Sequence, residues 1–332
     1  MHRLPAEWEK QDSIMITFPH QNSDWAYCLD EITQTYIKMI TAISAYMKCL
    51  VICDDTKRVK NILKPYLNSN ISLVQIPTND TWIRDYGAID VIKKSTVVSF
   101  DFTFNGWGEK FDASLDDRVN RELYNKGVFD NTLKSLDFIL EGGSIDSNGE
   151  GVLLTTKRCL LSKQRNPNMS QKEIDSFLKH TFNLKKIIWL ENGYLAGDDT
   201  DSHIDTLVRF LDSKSIAYVK CYDKDDEHYY ELNEMEKELK KSGFELYPLP
   251  LTSAIFYENE RLPATYANFL FINGAILLPQ YKDRNDEKVF TFFKSFYKNR
   301  DIIPIDSTTL IKEHGSIHCA TMNRWAKLKE IF

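Results

Sequence analysis

Four tetrapeptides in this chain share a small or polar opening, an isoleucine and a polar close: Gly87-Ala88-Ile89-Asp90, Gly143-Ser144-Ile145-Asp146, Ser202-His203-Ile204-Asp205 and Gly315-Ser316-Ile317-His318. Their isoleucines lie 56, 59 and 113 residues apart (89 to 145, 145 to 204, 204 to 317). The last interval is close to two units, so a missing copy is expected near residues 260–268, where Thr265-Tyr266-Ala267-Asn268-Phe269 precedes another strand. A fixed period of this length points to one supersecondary unit used repeatedly, each burying its apolar face against the next.

The segments immediately after these copies support the repeat. Val91-Ile92 leads through Lys93-Lys94-Ser95 to Thr96–Phe100, and Asp146-Ser147-Asn148-Gly149 turns into Gly151–Thr156. Asp212–Ser215 leads into Ile216–Val219, and Asn273-Gly274 into Ala275–Leu278. Apolar runs flanking Asn, Gly, Ser and Lys turns are hairpin signals. Helical periodicity lies between them, from Asp24 to Met47 (Leu29, Ile32, Tyr36, Ile40, Ile43) and from Glu227 to Lys241. The expectation is an α/β chain of about five hairpin-plus-helix modules. An ordinary α/β chain with several hairpins accounts for the same strands, because the tetrapeptide is degenerate.

No low-complexity linker divides the 332 residues, so residues 1–332 are expected to form a single domain. Hydrophobic residues make up 42% and aromatic ones 12%, ample for a large core, yet no run approaches the roughly 18 apolar residues of a membrane span. The opening Met1-His2-Arg3-Leu4-Pro5-Ala6-Glu7-Trp8 lacks a secretory apolar region, and a cytoplasmic location is expected. Six scattered cysteines suit reduced thiols. Cys49 and Cys53 read as part of a buried strand rather than a metal clip. A net charge of −6 with dispersed Lys and Arg argues against nucleic acid and is compatible with a small cationic ligand. A homodimer is left open, because the sequence does not show the oligomeric state.

Several segments carry residues suited to chemistry. In His203-Ile204-Asp205, strand periodicity puts the imidazole and the carboxylate on one face; the bland alternative is a His bonded to its neighbouring acid. The preceding Gly197-Asp198-Asp199-Thr200-Asp201 lacks the sixth-position Gly and closing Glu of a calcium loop. Trp82-Ile83-Arg84-Asp85 places an aromatic, a cation and an anion together, and Asp85 either pairs with a cation or faces a ligand. Glu141-Gly142-Gly143 sets a carboxylate beside glycines that permit close backbone approach or a tight turn. Cys319 is a nucleophile or an inert small hydrophobe. His318 and Cys319, on opposite faces of a strand, are poorly placed to share a metal.

Taken in order, Asn79–Gly87, Leu140–Gly143, Gly197–Asp205 and Gly315–Cys319 resemble the signatures of the bacterial-type peptidylarginine deiminase family, in its agmatine-deiminase branch. Pro5-Ala6-Glu7-Trp8, Phe18-Pro19-His20, Phe104-Asn105-Gly106-Trp107-Gly108 and Arg165-Asn166-Pro167 are similar to that family too. This chain departs where Glu313-His314-Gly315 replaces the usual glycine run, and where Ala320-Thr321-Met322-Asn323 follows the cysteine.

The resemblance implies a pentein, a five-bladed α/β propeller with pseudo-fivefold symmetry, acting on agmatine without a cofactor or metal. It implies Cys319 as nucleophile, His203 as general acid and base, and Asp85 and Asp205 as holders of the guanidinium. Trp82 matches a pocket aromatic, and Glu141 is a further substrate-binding candidate. The chemistry is coherent, because two carboxylates that each accept paired N–H bonds fix the guanidinium plane for attack by a thiolate. Arginine or peptidyl-arginine deimination would use the same groups, with a cation at the pocket mouth for a free α-carboxylate. A binding module of the same fold would lack them.

Overall fold

A computed structural model describes residues 2–94 and 96–329; Ser95, in the expected Lys93-Lys94-Ser95 turn, and Met1 of the opening segment lie outside the described residues. Five sheets of three or four strands repeat one plan: a first strand pairs antiparallel with a second, which after a helix is joined by a parallel third. In unit one these strands are Ile89–Lys93, Thr96–Thr103 and Thr132–Ile139. Unit two has Ile145–Ser147, Val152–Thr156 and Lys186–Leu190 around the helix Gln171–Phe182. Unit three has Val208–Phe210, Ser215–Lys220 and Glu245–Pro250 around Tyr229–Leu239. Unit four, the copy missing from the tetrapeptide series, has Leu270–Ile272, Ala275–Gln280 and Asp301–Asp306 around Asp286–Phe296.

Unit five is assembled from both ends of the chain. Thr321–Arg324 pairs antiparallel with Ser13–Thr17, which pairs parallel with Lys48–Cys53 beyond the helix Leu29–Ser44; Ile71–Gln75 adds a fourth strand. That helix buries Ile32, Tyr36, Ile40 and Ile43, the periodic positions read from the sequence. Cys49 to Cys53 are all buried in a strand with parallel neighbours on both edges, the pattern of a sheet covered on both faces. Among the described residues no helix is long and apolar enough to cross a membrane.

The tetrapeptide register is preserved in only half of its copies. Ile89 and Ile145 open their strands, whereas Ile204 and Ile317 lie in turns, with strands starting at Val208 and Thr321. His203-Ile204-Asp205 is therefore not a strand: Ile204–Thr206 is a 3-10 turn. The cause is local. Asp201 and Ser202 have φ of 65° and 64°, and the Asp198 carboxylate accepts the Ser202 N–H at 2.6 Å, which bends the chain before His203. His318 and Cys319 likewise sit in a turn rather than a strand.

The closure of unit five is locked by charge. Buried Arg324 donates to both oxygens of buried Asp90 at 2.9 and 3.0 Å and stacks over Phe129 at 4.2 Å. Arg324→Met leaves Asp90 without its cation and is expected to destabilise the chain by about 3–5 kcal/mol, read as a lower urea midpoint. Adding Asp90→Asn is expected to recover part of that loss.

Candidate active site

The turns that lead into the first strand of each unit bring the candidate site residues together. Unit one contributes Trp82, which precedes the helical turn Ile83–Tyr86, and Asp85 within it; unit two contributes Glu141 before the turn Gly142–Ser144. Unit three contributes His203 and Asp205, unit four Asn268, and unit five Cys319. The turns touch directly, since Arg84 N–H donates to the Cys319 carbonyl at 3.2 Å and Gly143 N–H donates to Asp85 Oδ1 at 2.9 Å.

Glycine at 143 is required by this convergence. A Cβ there would sit 2.7 Å from Asp85 Oδ1, 2.7 Å from His203 Nδ1 and 3.1 Å from Asp205 Oδ2. Gly142 is equally constrained, because a Cβ would lie 2.1 Å from the Arg84 carbonyl. At the other side of the cleft, a Cβ on Gly315 would lie 2.3 Å from the Trp82 ring. These glycines let protein groups crowd together, a different service from admitting a ligand.

Cys319 Sγ is 3.1 Å from Asn268 Nδ2 and 3.6 Å from Asp205 Oδ2. The Asn268 side-chain Oδ1 accepts the N–H groups of His318 and Cys319 at 2.9 and 3.2 Å, so one side-chain amide holds both the turn and the thiol. His203 Nδ1 lies 3.5 Å from Asp85 Oδ1. Both nitrogens of His203 and Asp205 Oδ1 are buried with no hydrogen-bond partner among the described residues. Such unpaired groups are costly unless a ligand takes them up.

The carboxylates are less free than two open forks. Asp85 already accepts from Gly143 on Oδ1 and from Trp107 Nε1 on Oδ2 at 2.9 Å, leaving one lone pair on each oxygen. Asp205 Oδ2 is engaged by His318 Nδ1 at 2.7 Å, so only Oδ1 is open. Glu141, 0% exposed, has both oxygens on Arg165 Nε at 2.8 and 3.0 Å. Glu141, Cys159 and His203 offer ligand atoms within 4.8 Å of one another, the one donor set suited to a metal among the described residues, but Glu141 is committed to Arg165.

A cleft opens above these groups. Asp85, Cys319, Trp82 and Trp107 line its depth, and Asp24, Asp80, Asp199 and Glu313 add four more acids; its lining has neither lysine nor arginine. His203, Asp205 and Glu141 lie behind this wall, not on it. Burial, with Asp24 and Glu313 nearby, pushes the Asp80 carboxyl up to about 7, and burial raises Asp199 and Glu313. Burial likewise brings Asp85 up to about 6 against the pull of His203. His203 is held well above the usual imidazole range, because Asp85 and its other anionic neighbours outweigh burial. Burial opposes the charge on Asp205, but His318 keeps its carboxyl below the usual range. Cys319 is driven well above the ordinary thiol range by burial, then by Asp205 and Asp85.

Sequence reasoning missed Asn268, Trp107 and Arg165 as partners of the site, although each lies in a segment it had singled out. A thiol, an unpaired imidazole and carboxylates gathered below an acid-lined cleft are the groups of an enzyme that acts on amidines. The chain belongs to the Porphyromonas-type peptidyl-arginine deiminase family, whose model matches residues 3–324. A C. jejuni agmatine deiminase variant with cysteine replaced by serine, solved with substrate bound, is 45% identical with a TM-score of 0.95, over 99% of this chain and 98% of that one. An Enterococcus faecalis agmatine deiminase structure is 25% identical with a TM-score of 0.89, over 98% and 96%. A Legionella pneumophila protein provisionally named agmatine deiminase is 31% identical over 335 residues, covering 97% of this chain and 94% of that one.

With its thiol pKa raised, Cys319 is expected to react slowly with iodoacetamide at neutral pH and faster as pH rises. A bound guanidinium supplies the missing positive charge and is expected to increase the thiolate ultraviolet absorbance at constant pH. A full thiolate signal at neutral pH without ligand would contradict this.

Proposed function

We propose that this chain hydrolyses agmatine and water to N-carbamoylputrescine and ammonia, as a single domain arranged as a five-bladed α/β propeller. One observation carries the reading: Asp85 and Cys319 line a cleft rich in acids and free of lysine and arginine, with His203 and Asp205 immediately behind them. The substrate in that cleft is a dication, with a guanidinium for the deep carboxylates and an ammonium for the acids above.

In this reading Asp85 and the open oxygen of Asp205 hold the guanidinium in plane, and Trp82 borders it. Positioning of this kind replaces a bimolecular encounter with an aligned one. The Cys319 thiolate attacks the central carbon to form a tetrahedral adduct. His203 gives its proton to the departing nitrogen, the C–N bond breaks, and ammonia leaves a covalent thiouronium. His203 then takes a proton from water, whose oxygen adds to the same carbon. Collapse breaks the C–S bond, returns the thiolate and releases the ureido product.

Arginine, the second reading, fits less well, because its α-carboxylate would meet Asp24, Asp80, Asp199 and Glu313 with no Lys or Arg in the lining. The deciding experiment compares ureido product from agmatine, arginine and an arginine-containing peptide. Turnover of agmatine and none by Cys319→Ser is expected; turnover of the peptide alone overturns the reading.

Asp85, raised to about 6, is ionised above that pH and protonated below it, so the affinity for a non-reacting guanidinium ligand is expected to fall about tenfold per unit as pH drops below about 6, read by titration calorimetry. Gly143→Ala forces Asp85 and His203 apart. Its ammonia release is expected to fall on the order of 10²-fold, with the far-ultraviolet circular dichroism unchanged.

A further inference from the structure

Glu7 belongs to none of the five lead-in turns. It lies between the edge strand His2–Arg3 and Ser13–Thr17, is 8% exposed, and ties four distant parts of the chain together. Its Oε2 accepts from His318 Nε2 at 2.7 Å and from Arg209 Nη2 at 2.8 Å. Its Oε1 accepts from the Phe271 N–H at 2.8 Å, and Arg84 Nη2 stands 4.0 Å away. Burial disfavours its charge, but Arg209 and His318 hold the carboxyl far below the usual range.

The same imidazole reaches the active site on its other side. His318 Nδ1 is 2.7 Å from Asp205 Oδ2, and that oxygen is 3.6 Å from Cys319 Sγ. A neutral imidazole has one N–H, whereas two ionised carboxylates need two, so only the imidazolium satisfies both contacts. The result is a buried line of alternating charge, Glu7 to His318 to Asp205, ending at the thiol.

We propose that Glu7 is a positioning residue: by accepting from His318 Nε2 it keeps that ring charged and turned toward Asp205, which leaves Asp205 Oδ1 open and sets a cation behind Cys319. The proposal rests on the roles given above to Cys319 and Asp205. The competing role for Glu7 is plain charge balance for Arg209 and Arg84, and the two differ in sign. If Glu7 only balances the arginines, removing its charge leaves them unopposed and lowers the thiol pKa. If Glu7 acts through His318, removing it lets the cation bonded to Asp205 go and raises the thiol pKa. Other charges in reach of His318 are Asp146 and Arg84; those around Cys319 are Asp205, Asp85 and Arg209, with Tyr36 and Tyr281.

The test is the pH dependence of iodoacetamide alkylation, followed on the Cys319 peptide by mass spectrometry, in the wild type, Glu7→Gln, His318→Asn and the double variant. Glu7→Gln and His318→Asn are each expected to move the midpoint up by about one unit, on the order of tenfold slower alkylation at a given pH below it. In the His318→Asn background, Glu7→Gln is expected to add no upward shift. A downward or absent shift in Glu7→Gln, or an equal upward shift in both backgrounds, overturns the proposal. Should Glu7→Gln fail to fold, His318→Asn decides alone, and an unchanged or lowered midpoint overturns it. Alkylation needs no turnover, so wild-type inactivity toward agmatine sinks the functional reading while this measurement still judges Glu7.

Discussion

Everything in this structure depends on holding several carboxylates out of water in one place. Glu7, Asp85, Glu141, Asp146 and Asp205 are each less than a tenth exposed, and an unmatched buried anion costs several kcal/mol. The matching cations are buried as well: Arg165 on Glu141, Arg209 on Glu7 and Asp146, His318 on Glu7 and Asp205. Asp85 differs, because its partners are a Trp107 N–H, a backbone N–H and His203 at 3.5 Å. It is the carboxylate with the least compensation from fixed positive charge. In the proposed reaction the substrate's guanidinium would supply the positive charge that the protein leaves out there.

The supporting cations come from different units, which explains why the site needs the whole repeat. Arg84 comes from unit one, Arg165 from unit two, Arg209 from unit three and His318 from unit five. Glu141 and Arg165 pair within unit two, whereas Asp146 of unit two is held by Arg209 of unit three and Asp205 of unit three by His318 of unit five. Rotation of one unit against its neighbours would separate buried charges, so the electrostatics that prepare the site also resist its deformation.

The period, the hairpins and the helices were legible because strand and helix patterns are local, and Thr265–Phe269 was located as the lead-in to unit four by spacing alone. The lead-in turns were read as strands at His203 and Cys319; at His203 the bend at Asp201-Ser202, held by the Asp198 carboxylate and by Arg165, overrides the polar-apolar alternation that reads as a strand. Asn268 lay within a segment already singled out, but an amide has no charge or nucleophilicity to mark it. Glu7, 311 residues from His318, is joined to it only by the folded chain. The crowding that requires Gly143 was invisible for the same reason. Its neighbours come from units one and three.

The pairing of Ser13–Thr17 with Thr321–Arg324 has a consequence for how the chain is made. Thr321 pairs with Ile16, 305 residues earlier, so on a ribosome adding roughly 5–20 residues per second the early strand waits about 15–60 s for its partner. During that interval units one to four can form while Ser13–Thr17 keeps an unpaired edge, a surface that invites association with other strands. The residue proposed as nucleophile arrives just before the strand that covers this edge. The molecule therefore gains its proposed nucleophile and covers this open edge in the same late step of biosynthesis.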